Sequence, residues 1–266
     1  MKNILKILII GISLISCSKD EIASEKSNSC YLLDYEKSSV LGSSEVSYKH
    51  KLSYSGNKIT SRINYDNVSP NVGLYILGEI SRDSLVYDNL GRISKIYKIP
   101  LYDNYTYSEF IYENSNSLPH KRNEISIFNY TNSTYTFIYP EDIYYDNKNR
   151  IIRTVIDYNE PNYEFDITTI YEYDNNGNLT KIDSKKVQYG NTFQTISEYS
   201  DYDNKLNPFS NFPFIDFRGI SVSTNNFRHY QTTKYTNENI TGISDGTYSY
   251  EYNEYNYPLI GIYECK

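Results

Sequence analysis

A turn that recurs along the chain limits what the rest of it can fold into. Residues 85–96 read LVYDNLGRISKI, 143–154 read IYYDNKNRIIRT and 171–182 read YEYDNNGNLTKI. Weaker copies begin at Leu52, Phe110, Tyr199, Thr233 and Tyr250. The shared pattern is an aromatic residue, one spacer, Tyr-Asp-Asn, a spacer, Gly or Asn, a spacer, then Ile or Leu followed three residues later by Ile. Each part has a physical reason. The incoming strand ends on tyrosine, and the aspartate accepts hydrogen bonds from turn amides. Gly or Asn tolerates a left-handed backbone, and the following Ile or Leu returns to the core. The spacing predicts a hairpin of three to five loop residues with a bulge at the glycine. The motif tyrosines fall at 54, 87, 112, 145, 173, 202, 235 and 252, at intervals of 17 to 33 residues. Most intervals hold two strands and two connections, so roughly 14–16 strands are expected.

These residues resemble the YD repeats of bacterial cell-surface proteins, and more closely the YD-bearing lipoproteins of Bacteroidetes, over about residues 45–260. The 202–209 stretch YDNKLNPF shares in that resemblance. It implies an all-β fold: a long antiparallel meander of hairpins, strongly curved or closed into a soluble barrel-like, porin-like sheet. It implies no activity. Composition agrees with strands and polar turns. The chain has 32 Tyr, 10 Phe and no Trp in 266 residues, and tyrosine combines strand propensity with an apolar ring and a polar tip. Charges such as Lys95, Arg153, Asp157, Glu172 and Lys181 interrupt the strands, and a lipid-facing barrel would need a clean apolar band there.

Residues 1–17, MKNILKILIIGISLISC, carry Lys2 and Lys6 before a short apolar core. That core is too short for a permanent span and reads as a signal peptide. Leu14-Ile15-Ser16-Cys17 resembles a bacterial lipobox, which implies cleavage before Cys17 and acylation of Cys17 with palmitate-type chains. Several acyl chains on one residue hold a protein stably at a membrane. Ser18-Lys19-Asp20-Glu21 resembles the export signal of Bacteroidetes surface lipoproteins. It implies an outer-membrane, cell-surface position. The expected organisation is a signal peptide at 1–16, an acylated tether at 17–29 and one β domain at 30–266. Once Cys17 is lipidated, Cys30 and Cys265 remain, and they either pair in an oxidising compartment or stay as buried thiols. A bridge between them would require the first and last strands to be neighbours.

Residues 207–227 break the rhythm. They hold five of the ten phenylalanines, no tyrosine, and both Pro208 and Pro213. Proline argues against a central strand, so an irregular segment is expected here. Phe209, Phe212, Phe214 and Phe217 would plug the interior or form a lid over a binding cavity. The chemistry of a catalyst is otherwise sparse. His50, His120 and His229 have no metal-ligand spacing and are expected at exposed strand or loop positions. Asp88, Asp146, Asp174 and Asp203 share one turn position, and a calcium reading of Asp174–Asn178 lacks alternating carboxylates. Asp83-Ser84-Leu85 matches a short Bacteroidetes O-glycosylation pattern. Removal of residues 1–16 leaves 24 basic against 33 acidic residues, which excludes charge-driven binding to nucleic acid. The reading that results is a surface binding module for a glycan or an envelope protein, with no catalytic site, metal or cofactor. The alternative is a structural or accessory subunit of an outer-membrane assembly, with a hydrolase third.

Overall fold

The computed structural model describes residues 30–41, 44–67, 77–100, 105–130, 133–160, 163–211 and 222–265. They form one antiparallel sheet of fifteen strands. The strands are β1 (Cys30–Leu41), β2 (Ser44–Ser55), β3 (Lys58–Asn67), β4 (Leu77–Tyr87), β5 (Ile93–Pro100), β6 (Tyr105–Tyr112), β7 (Pro119–Tyr130) and β8 (Ser133–Tyr145). They continue as β9 (Ile151–Glu160), β10 (Tyr163–Tyr173), β11 (Leu179–Gln188), β12 (Asn191–Leu206), β13 (Asn225–Thr236), β14 (Asn239–Thr247) and β15 (Gly261–Cys265). Each strand pairs with its sequence neighbour from β1 to β14, and β15 adds to the free side of β1. Cys30 lies opposite Cys265 in that last pairing, and a disulfide joins them. The sheet is not closed, since β14 and β15 are its two edges.

The repeated turn is built around one oxygen. Asp88 Oδ1 accepts the amides of Leu90 and Arg92 at 3.0 and 2.8 Å. Asp146 and Asp174 accept the equivalent amides at 2.8 to 2.9 Å. Asn253 does the same with its amide oxygen, at 3.0 Å to Tyr255 and Tyr257. Three residues after each acceptor, Gly91, Asn149, Gly177 and Asn256 all have positive φ. Those positions suit Gly or Asn alone because a Cβ crowds the left-handed region. Four residues after the aspartate, Arg92 and Arg150 close the loop by donating Nε to the second carboxylate oxygen at 2.7 Å. The same two guanidinium groups then lie 4.1 and 4.5 Å over the rings of Tyr112 and Tyr173, which belong to the next hairpin. The turn therefore also clamps its neighbour.

The bulge sits on the return strand rather than at the glycine. Register shifts fall at Thr60, Ser94, His120, Ile152 and Thr180, one residue beyond the first core position of β3, β5, β7, β9 and β11. An extra residue there turns Ile-x-x-Ile, a spacing of three, into two inward side chains on one strand. Ile93 and Ile96 both meet the core for this reason.

Between hairpins the backbone ladder stops short of the turns. Its last pairs are Asp34 with Lys51, Ser61 with Ser84, Lys95 with Glu109, Lys121 with Asp142 and Arg153 with Ile170. In each case the carbonyl two residues further out accepts a tyrosine hydroxyl from the adjacent hairpin. Tyr54 donates to Leu32, Tyr87 to Ile59, Tyr112 to Ile93, Tyr145 to Pro119 and Tyr173 to Ile151, all at 2.7 to 2.8 Å. Tyr202 continues the series to Leu179, Tyr250 to Phe227 and Tyr263 to Pro258. Two motif tyrosines do not belong to it. Tyr235 leads into the Asn237–Glu238 turn between β13 and β14, at the opposite end of the sheet. Tyr252 donates instead to the carboxylate of Asp203.

Curvature is fixed from within. Phe209, in a single 3-10 turn after β12, packs with Leu32, Leu52, Ile59, Leu85, Ile96 and Phe110 from β1 to β6. That contact brings the far side of the meander back over its beginning. Ile260 and Tyr263, before and within β15, pack on the same cluster.

Tyr145→Phe deletes one rung and leaves the Pro119 carbonyl without its donor, so it should cost about 1–2 kcal/mol. Tyr235→Phe, outside the series, should change stability by less than about 0.5 kcal/mol; urea unfolding of both variants makes the comparison. A second expectation concerns alkali. Burial favours the neutral phenol at all eight rungs, pushing Tyr112 and Tyr202 up to about 12 and Tyr54, Tyr145, Tyr173, Tyr250 and Tyr263 higher. A folded-state value raised above the unfolded one gives stability that is complete below about pH 10 and lost as the pH climbs through the folded values. The tyrosinate absorbance should therefore rise in two phases. The later one should coincide with loss of the strand circular-dichroism signal.

Candidate functional site

Cross-strand partners share a face, so the registers define the inner wall from the core cluster outward. Nearest the turns it is apolar, with Phe209 as its centre. The next level is charged. Arg62 donates Nε to Asp83 at 2.6 Å in a fully buried pair, with the Asn64 amide beside it. Lys98 lies 3.2 Å from Glu124, which also accepts from Ser108. Arg122 sits 2.7 Å from Glu141. Burial raises the Glu141 carboxyl above its ordinary range, while Arg122 and a Thr154 hydrogen bond pull it down. Each of these three carboxylates thus has its own cation, which is the arrangement of a structural ion-pair layer.

Further from the turns the inner wall becomes aromatic. Cross-strand pairing sets Phe128 opposite Tyr135, Tyr139 opposite Glu124 and Tyr158 opposite Phe165. Tyr139, Tyr158 and Phe165 form a ring cluster with centroids 4.7 to 5.9 Å apart. Phe128 and Phe137 meet edge to face at 5.8 Å. Lys186 Nζ lies 4.7 Å over the Phe165 ring, and Phe193 pairs with Lys186 from β12. This part of the wall meets solvent: Tyr135, Phe137 and Phe193 are 51, 37 and 42 % exposed although they lie on the concave face. Below them runs a row of hydroxyls, with Thr169 bonded to Ser184 and Ser197 to Thr232 across strands.

The sequence-derived residues fall out as follows. Cys17, Phe212, Phe214 and Phe217 lie outside the described residues. Phe209 is buried in the core. The irregular segment is shorter than residues 207–227, because Asn225–Phe227 open β13 and Phe227 pairs with Tyr202. The backbone amide of Asn226 reaches Asp203 there, and Asn207 bonds the Ser223 carbonyl at 3.0 Å. The histidines lie in strands, as one arm of the expectation had it, and are half-buried rather than exposed. His50 bonds Asn64 at 2.7 Å, His229 bonds Ser200 at 3.1 Å and His120 lies in β7. No group of metal-ligating residues is assembled among the described residues. Ser84 lies half-buried in β4, between the buried Asp83 and Leu85. The aromatic wall escaped sequence reading. Its residues are spread over β7 to β12, and only pairing places them on one face.

The fold is similar to that of a porin-like protein from Bacteroides uniformis ATCC 8492, with a TM-score of 0.51 at 9 % identity over 85 % of this chain and 87 % of that one. The likeness is one of fold. No family model matches the sequence, and no curated protein does.

Asp83→Ala should leave Arg62 as a buried unpaired cation and cost about 3–5 kcal/mol, whereas Arg62→Met with Asp83→Leu should recover most of that loss. Thermal unfolding of the single and double variants reads the difference. Equal destabilisation of both would mean that the pair does more than satisfy itself.

Proposed function

We propose that this chain is a lipid-anchored envelope protein, attached through Cys17 at the outer face of the outer membrane, and that it serves as a non-catalytic binding module. The observation that carries the reading is the exposed aromatic lining of the concave face, where Tyr135, Phe137 and Phe193 meet solvent. Solvent-exposed rings on a concave surface above a row of hydroxyls suit a ligand that offers both apolar ring faces and polar edges, as a glycan does. The acid–base alternative gains no support from the inner carboxylates, since Asp83, Glu124 and Glu141 are each engaged by a basic side chain.

The outer face supports a tether rather than a membrane-embedded barrel. It carries Lys95 with Glu109, Lys121 with Asp142 and Lys181 with Glu172. A lipid-facing wall would carry an apolar band at those levels.

Two measurements test the proposal. Labelling cells with an alkyne analogue of palmitate should tag the native protein and fail with Cys17→Ala; a tag that survives the substitution refutes the anchor. Calorimetric titration of the full chain in detergent with an oligosaccharide panel should find a ligand whose affinity drops at least about fivefold, or about 1 kcal/mol, in Phe193→Ala. A panel without a single binder removes the glycan reading and favours a scaffold role.

A further inference from the structure

The concave wall is also charged in one sense. Lys186 faces inward on β11, where it pairs with Phe193 and covers the Phe165 ring. Lys234 faces inward on β13, opposite Thr195 and one inward position from the Phe193–Thr236 pair. Among the described residues neither lysine has a carboxylate within ion-pair distance. Lys49, Lys95, Lys98, Lys121 and Lys181 all do. Lys186 and Lys234 stand on β11 and β13, with β12 and its inward Phe193 and Thr195 between them. The register explains where the acids went. On β9 to β11, Asp157, Glu164, Asp166, Glu172 and Asp183 occupy the outward positions that alternate with Tyr158, Phe165, Thr169, Tyr171 and Ser184. Asp166 lies directly opposite Asp157 there, and its carboxyl is raised, by its surroundings first and by Asp157 next. Glu160, at the end of β9, is the one carboxylate at an inward position on β9 to β13 beyond the Thr154–Thr169 level. At these levels of β9 to β13 the acidic side chains thus lie almost wholly on the outer face, while the inner face carries Lys186 and Lys234.

We propose that this wall binds an acidic saccharide, with Lys186 and Lys234 taking its carboxylate or sulfate groups and the exposed Phe193 ring stacking against one of its ring faces. The inference rests on the reading of the concave wall as the ligand surface and adds the ligand's charge. A lysine over an aromatic face is partly desolvated, so an anion reaching it meets a stronger field than at an open surface. The hydroxyls of Thr195 and of the Ser197–Thr232 pair lie on the same face for the sugar's own hydroxyl groups. An acidic peptide would match the lysines but would leave the exposed rings without flat partners.

The test is calorimetric titration of the full chain in detergent with four probes of matched length: an oligogalacturonate, a sulfated dextran oligomer, neutral dextran and polyglutamate. At least one acidic saccharide should bind more tightly than neutral dextran, lose affinity as salt is raised and weaken about tenfold in Lys186→Met with Lys234→Met. Lys186→Arg with Lys234→Arg should keep the binding, which guards against a folding artefact. Equal binding of acidic and neutral saccharides, unmoved by the methionine pair, overturns the charge assignment and leaves the ligand-binding wall standing. Polyglutamate binding as tightly as the acidic saccharides overturns the saccharide assignment. Absence of binding to every saccharide, with Phe193→Ala silent, removes the ligand-binding wall and this inference together.

Discussion

The tyrosine hydroxyl that completes each junction is the interaction on which the rest of the molecule depends. Adjacent hairpins stop exchanging backbone hydrogen bonds two residues before the turns. That leaves a row of carbonyls near the edge of the core, where an unpaired acceptor is costly. One phenol per hairpin supplies the missing donor from a rigid ring that is itself buried against the core, so the same side chain contributes packing and a rung. The series also reaches the place where no strand ladder joins β14 to β15. Tyr250 and Tyr263 bond to Phe227 and Pro258, and Tyr252 to Asp203, so residues 248–260 are tied to both sides of the opening. The Cys30–Cys265 disulfide secures the last strand at the same end.

The turn chemistry follows from that demand. A tyrosine can meet a carbonyl of the neighbouring hairpin only if each return strand starts at a fixed offset from the turn. The aspartate that binds two amides, the left-handed Gly or Asn, and the bulge one residue beyond the first core side chain together set that offset. Arg92 and Arg150 extend it sideways, each neutralising the aspartate of its own turn and capping the ring of the next hairpin's tyrosine. The arrangement repeats with Asn253 replacing aspartate, where the amide oxygen suffices to accept both backbone bonds.

Along the inner wall the environment changes from apolar, through paired charges, to open aromatics. The Arg62–Asp83 and Arg122–Glu141 pairs at the middle level are buried, and such pairs are costly to desolvate and contribute little net stability over apolar replacements. Beyond them the rings of Tyr135, Phe137 and Phe193 face solvent.

The sequence by itself determined the all-β class, the meander and a strand number of roughly 14–16, because a turn of ten or so residues is a local device. Asp88, Gly91 and Arg92 interact within four residues of one another, and such contacts can be read in order along the chain. The Ile-x-x-Ile spacing was visible too, but its cause was not, since a bulge is defined only against a partner strand. For the same reason Tyr235 read as a member of the series and Tyr250 did not: the deciding quantity is the offset from the last pair of a neighbouring hairpin, His229 with Thr247. The packing of Phe209 on β1 to β6, and the gathering of Tyr135, Phe165, Lys186, Phe193 and Lys234 on one face, were decided only by tertiary structure. Each bulge resets the alternation of inside and outside, so period-two reading loses the face within one hairpin, and only the assembled register restores it.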